Sequence, residues 1–215
     1  MFHRVDDHAV DEEFITLARE AEVVYCPTLV VLRGYYNAFK ALGGETWWVD
    51  PNNVVDAETR EMIESAHLFF DYLPDPEGYE DMLQRNDTYV SSLEKTMAEN
   101  LRQVYEAGIP IAVSTDAGNP GTLHGISIYD EMEAMQQAGI PAKDILVMAT
   151  KNGASAMGRL ADFGTLEAGK MADLIILEKD PAIDISHMRS ITHVMRAGLL
   201  RQVNTPFKNN AAAAK

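Results

Sequence analysis

In the stretch AVSTDAGNPGTLHG, residues 112–125, an ionisable carboxylate stands where an apolar run ends. Ile109-Pro110-Ile111-Ala112-Val113 reads as a buried strand, Ser114-Thr115-Asp116 closes it, and Gly118-Asn119-Pro120-Gly121 opens a turn that leads to His124. A carboxylate just past a buried strand can ligate a metal ion, take a proton from water, or cap the next helix through its free amides. The cap is the plain structural alternative for Asp116, but the intervening Gly/Asn/Pro turn strains it. Glycines in that turn let backbone approach whatever Asp116 holds.

Elements on either side must position such a group. Val10, Phe14, Leu17, Ala18 and Ala21 recur at helical spacing behind Asp11, Glu12 and Glu13, which predicts a helix over 11–22. Residues 23–26 predict a short buried strand, stopped at Pro27-Thr28. Residues 34–53 read as a long loop carrying Tyr35, Tyr36, Phe39, Trp47 and Trp48, which can wall a pocket, form a lid, cap the fold or fill an interface. A helix over 59–72, an irregular stretch over 74–85 and a long helix over 88–107, closed by Gly108, come next. After the strand at 109–114, helices are predicted at 129–137, at 142–152 behind Pro141, and at 154–160. From Gly164 the texture changes to short strand-like runs at 172–177, 191–196 and 199–203, and residues 208–215 read as a disordered tail. Alternating helix and strand gives an α/β fold with a parallel sheet or barrel, and the last strands form a separate small β unit.

The totals narrow the partners. A net charge of −15 argues against nucleic acid, which needs clustered Lys and Arg. No apolar stretch is long enough to span a bilayer, so no membrane partner is expected and the cytoplasm is the default location. The single cysteine, Cys26, lies in an apolar run and reads as a buried, inert thiol.

STDAGNPGTLHG resembles the last-strand motif of the amidohydrolase superfamily, in particular its imidazolonepropionase-like and prolidase-like metal hydrolases. GISIYDEMEAMQQAG (125–139) resembles the helix after that motif, and ATKNGASAMG (149–158) its small-residue helix. GTLEAGKMADLIIL (164–177) resembles the return to a small β-sandwich, and VMRAG (194–198) the closing hairpin. Single pieces are weak signals; their order over 110–201 makes them specific. Upstream, His3-Arg4-Val5-Asp6-Asp7, Val10-Asp11-Glu12-Glu13-Phe14 and Tyr25-Cys26-Pro27-Thr28-Leu29 resemble the sixth strand end, the helix behind it and the seventh strand.

The resemblance implies the C-terminal part of a TIM-like (β/α)8 barrel over 1–163, about strands six to eight, followed by short β-sandwich strands over 164–207. It implies metal-dependent hydrolysis of a non-peptide C–N bond or a small peptide-like amide. A divalent ion, zinc foremost, lowers the pKa of bound water to roughly 7 and polarises the carbonyl. Asp116 falls on the carboxylate that binds the metal-bound water and moves its proton, so it is expected as both catalytic base and metal ligand. His3 falls on the histidine closing the sixth strand, as a metal ligand or beside one. His124 falls in the loop over the site, where contact with substrate, support of Asp116 and a purely structural role stay open. His8, His67, His187 and His193 read as surface or structural side chains. The family's HxH ligand pair is absent from the six histidines. The chain is therefore expected to be the C-terminal half of such an enzyme, taking a small amide or peptide-like substrate and pairing with an N-terminal half or a second copy. The alternative is a catalytically incomplete remnant or interaction module that must pair with another chain.

Overall fold

The computed structural model of the chain describes residues 5–203. Its helices are α1 (Glu12–Glu20), α2 (Val30–Leu42), α3 (Ala57–Glu64), α4 (Tyr79–Glu106), α5 (Ser127–Gln137) and α6 (Ala142–Val147), the last running through a π turn, Met148–Asn152, into α7 (Gly153–Ala156). Two 3-10 segments, Ala66–Tyr72 and Ile185–Arg189, and three strands, β1 (Leu174–Leu177), β2 (Ile191–Arg196) and β3 (Leu199–Gln202), complete it. The fold is mixed helix and strand, as expected.

α1 starts where its acidic cluster predicts. Asp11 caps it by accepting from the Phe14 N–H at 2.8 Å, and Arg19 in its last turn donates to the Ala107 carbonyl at 2.6 Å, tying α1 to the end of α4. The two central strands are parallel neighbours, though only as one bridge between Tyr25 and Ile111. Tyr25 N–H donates to the Pro110 carbonyl at 2.8 Å and Ala112 N–H donates to the Tyr25 carbonyl at 3.0 Å. Pro27 and Pro110 bring no N–H to a ladder, which keeps the pairing short. The Asn152 side chain donates to the Ile111 carbonyl at 2.8 Å and satisfies part of the open edge. Around this pair the core gathers Tyr25, Leu101, Val104, Ile111, Met132 and Ile145. Cys26 is 4% exposed, and burial pushes its thiol pKa up.

Two expectations are corrected. Residues 34–42 are not loop: they belong to α2. Val31, Gly34 and Ala41 form its buried face, and Gly34 breaks the apolar pattern that marks a helix. The long helix starts at Tyr79, nine residues before 88, because Tyr79 and Leu83 are buried and the Tyr79 hydroxyl donates to the Phe39 carbonyl at 2.8 Å. On α4, the fully buried Asn100 accepts from Val10 N–H at 2.9 Å and donates to the carbonyls of Val5 and His8 at 2.9 and 2.7 Å. Residues 5–10 are thereby fastened to the helix.

The start of α2 is built from another helix. Its N-cap residue, Leu29, has no side chain that can cap. The fully buried Glu131 of α5 does it instead: one carboxylate oxygen accepts from Leu29 N–H and the other from Val30 N–H, each at 3.0 Å. A carboxylate suits the partial positive charge of a helix N-terminus. Glu131→Gln keeps the shape but turns an NH2 toward one of the two amides. The unfolding free energy is expected to fall by about 1–3 kcal/mol, the cost of a buried donor left unpaired, read as a lower midpoint in urea.

β1, β2 and β3 form an antiparallel sheet in that order, with Ile175 opposite Val194 and Val194 opposite Arg201. Ala197 and Gly198, at φ 50° and 80°, make the two-residue turn between β2 and β3, where the closing hairpin was expected. The preceding 3-10 turn docks on α5: Arg189 pairs with Asp130 at 2.5 Å and Glu133 at 2.7 Å, and its guanidinium lies 5.1 Å from the Tyr129 ring centre. Burial pushes the Asp130 carboxyl pKa up, against the opposing pull of Arg189. Among the described residues, no helix is long and apolar enough to cross a membrane.

Candidate active site

Asp116 lies five residues beyond Ile111, where the strand pair has ended, and is exposed. Its φ is 51°, in the left-handed region, which a non-glycine residue adopts only when neighbours hold it there. Asn119 does so. Its side-chain NH2 donates to the Asp116 carbonyl and to carboxylate Oδ2, each at 2.9 Å. Its Oδ1 accepts from the Tyr35 hydroxyl at 2.7 Å. The turn closes with Gly118 N–H donating to the Thr122 carbonyl at 3.0 Å and Thr122 N–H donating to the Asn119 carbonyl at 2.9 Å. α5 starts without a side-chain cap, so the helix-cap alternative for Asp116 does not hold.

α2 reaches this turn because two glycines meet. A Cβ on Gly121, whose φ is 73°, would stand 1.9 Å from the Gly34 carbonyl oxygen, and one on Gly34 would stand 2.5 Å from Thr122 Oγ1. The contact lets α2 lie directly over the turn and present Tyr35 to Asn119.

Beside the turn, a pocket of about 480 Å3 opens between α2, α3 and residues 118–124. Trp47, Val55, Met62 and Ile63 give it apolar walls, and Asn119 and His124 lie on its polar side. Trp47 stacks edge-on against Trp48, with ring centres 5.1 Å apart. Of the sites expected from the sequence, Asp116 and His124 therefore belong to one loop. His124 is exposed, with Nε2 3.8 Å from where a Gly118 Cβ would stand, and it lines the pocket; Asp116 does not. His3 lies outside the described residues. The other histidines have local partners: His8 with Asp7 at 3.0 Å, His67 Nδ1 2.7 Å from the Glu64 carbonyl, His187 Nδ1 2.7 Å from the Asp180 carbonyl, and His193 Nδ1 3.0 Å from Thr192 Oγ1.

Among the described residues, no three His, Cys, Asp or Glu side chains gather closely enough to hold a metal ion. A catalytic metal takes about three protein ligands. Asp116 offers one, so the described residues do not by themselves fit a metal. The sequence places Tyr35 among the aromatics of a supposed loop, able to wall a pocket, and gives no sign of its bond to Asn119. The spacing of Val31, Gly34, Ala38 and Ala41 was the available signal of a helix, once a glycine is allowed on a helix's buried face.

Known proteins resemble the chain in sequence and in fold. An imidazolonepropionase from Syntrophobacter fumaroxidans is 42% identical over 89 residues, covering 40% of this chain and 21% of that protein. A 5-methylthioadenosine/S-adenosylhomocysteine deaminase from Halalkalibacterium halodurans is 38% identical over 105 residues, covering 45% of this chain and 22% of that protein. The chain thus spans about a fifth of the length of these curated relatives. The crystal structure of a Xaa-Pro dipeptidase with bound methionine in the active site superposes at a TM-score of 0.58, with 24% identity, covering 90% of this chain and 38% of that one. The A. niger ochratoxinase does so at 0.57, with 22% identity, covering 93% and 36%. These likenesses establish a shared fold. The profile of the Amidohydrolase family matches residues 49–201, more than two thirds of the sequence, and includes the turn that carries Asp116 and His124; the chain belongs to the amidohydrolase family.

Proposed function

We propose that the chain carries the C-terminal part of a hydrolase of C–N bonds, with Asp116 as its general base. One observation carries this: an exposed carboxylate, past the end of a buried parallel strand pair, is held in left-handed backbone by a side chain of its own turn. Asp116 takes a proton from the attacking water as the water oxygen bonds the carbonyl carbon. It then gives that proton to the nitrogen as the C–N bond breaks. Tyr25 and Ile111 mark neighbouring strands, seven and eight, of a TIM-like barrel extending to about residue 163, and β1–β3 belong to a small sandwich. His124 contacts the substrate, a small amide or peptide-like molecule, from the side of the pocket.

A divalent metal, zinc foremost, would acidify the attacking water. Asp116, and His3 at the expected end of strand six, are the residues of this chain that would help hold it, with further ligands from outside the described residues. A second reading, an interaction module that pairs with another chain, rests on the apolar side chains left exposed on the sheet: Ile175, Ile176, Val194, Leu199 and Leu200.

The test uses the protein at its natural length with cyclic amides, dipeptides and N-aryl amides, following release of the amine or opening of the ring. Turnover of at least one class is expected. Dialysis against a chelator should abolish it, and Zn2+ or Mn2+ should restore it. Turnover that persists after metal analysis reads metal-free protein removes the metal from the proposal.

A further inference from the structure

We propose that Tyr35 is a positioning residue for Asp116, acting through the side-chain amide of Asn119; this rests on the role of Asp116 as base. An asparagine side chain has one acceptor and one two-proton donor, and which end faces which neighbour decides what it does. A tyrosine hydroxyl can donate or accept, so Asp116, which offers only acceptors, sets the sense of the amide: Oδ1 accepts from the Tyr35 hydroxyl at 2.7 Å and the NH2 faces Asp116. There it donates to both the Asp116 carbonyl and Oδ2. With the amide reversed, its oxygen would meet those two oxygens, three acceptors without a proton between them. Asp116 thus sets the sense of the amide, and the phenol, bonded to the amide's other end, holds its plane and place and, through it, the backbone and carboxylate of Asp116.

Burial does not account for Tyr35, which is 39% exposed. Its place is fixed from two sides: Glu131 holds the first amides of α2, and the residue before it, Gly34, lies against Gly121 of the turn. A side chain so placed can hold a reacting group in one orientation before substrate arrives.

Tyr35→Phe removes one oxygen and keeps the ring. In the natural-length enzyme, the expected result is a fall in kcat of about tenfold to a hundredfold, the usual effect of losing such a supporting partner, with KM and the unfolding midpoint little changed. Adding Tyr35→Phe to Asn119→Ala should cost nothing further, because Tyr35 acts only through that amide. A second readout needs no turnover. In protein labelled with 15N-asparagine, the Asn119 side-chain NH2 protons are expected to be protected from exchange with water, and in Tyr35→Phe to lose that protection and shift in frequency. An unchanged Asn119 signal overturns the proposal, as does an unchanged kcat in an active enzyme. Absence of turnover in the wild type would count against Asp116 as base, and the Asn119 signal would still decide whether Tyr35 holds the amide in place.

Discussion

Asp116→Asn lowers turnover of the natural-length enzyme by about 10²–10⁴-fold, the usual worth of a general base, and leaves the unfolding midpoint within error of wild type. Asparagine has the shape of aspartate but cannot take the proton from water. The fold should be indifferent, because residue 116 is exposed. Asparagine also tolerates left-handed backbone better than most residues, so the φ of 51° adds no strain. The amide oxygen that replaces a carboxylate oxygen at this position can still accept from Asn119. Steady-state kinetics and a denaturation curve on the same preparation check both halves of this expectation. Activity within about tenfold of wild type removes Asp116 from the role of base.

The largest effect on stability is expected at Gly121. Gly121→Ala puts a methyl group 1.9 Å from the Gly34 carbonyl oxygen, at a residue whose φ is 73°. Left-handed backbone costs alanine about 1–2 kcal/mol. Overlap with backbone adds about 1–3 kcal/mol, since neither the carbonyl nor α2 can turn aside without moving the helix. A loss of about 2–5 kcal/mol is expected by chemical denaturation. As α2 lifts, Tyr35 leaves Asn119, so activity should fall as well. Gly34→Ala provides the contrast. Its new methyl meets the Thr122 hydroxyl at 2.5 Å but backbone, at Pro120 and Gly121, only at 3.1 Å, and alanine favours a helix over glycine by about 1 kcal/mol. It should be the milder change. Equal losses at the two positions would mean that the backbone overlap is relieved more easily than this packing allows.

The sequence disclosed some of these parts because their causes are local. The apolar run before Asp116, the acidic start of α1 and the short strands after Gly164 each carry their own pattern, and each lies close to where it was expected. The family motif announced the turn at residues 116–124 without showing how it is held. Asn119 holds Asp116 from within the turn, but what braces Asn119 comes from far along the chain: Tyr35 on Asn119, and Glu131 on Leu29 and Val30 at the start of the helix that carries Tyr35. No periodicity reports that a buried glutamate caps another helix, or that two glycines serve a crossing. The error at residues 34–42 has the same origin. Gly34 looks like a helix breaker in sequence and is a contact surface in the fold.

Cys26 turns the central strand pair into its own clock. It is the chain's single thiol, adjoins the bridged Tyr25 and is 4% exposed, with its ionisation suppressed by burial. A thiol reagent reaches it only when the structure around residues 25 and 26 opens. The labelling rate at saturating reagent is then the rate of that opening, and at low reagent it gives the fraction of time the segment spends open. Any ligand that settles on the Asp116 turn and steadies the strand before it should slow that clock, even if the ligand is never hydrolysed.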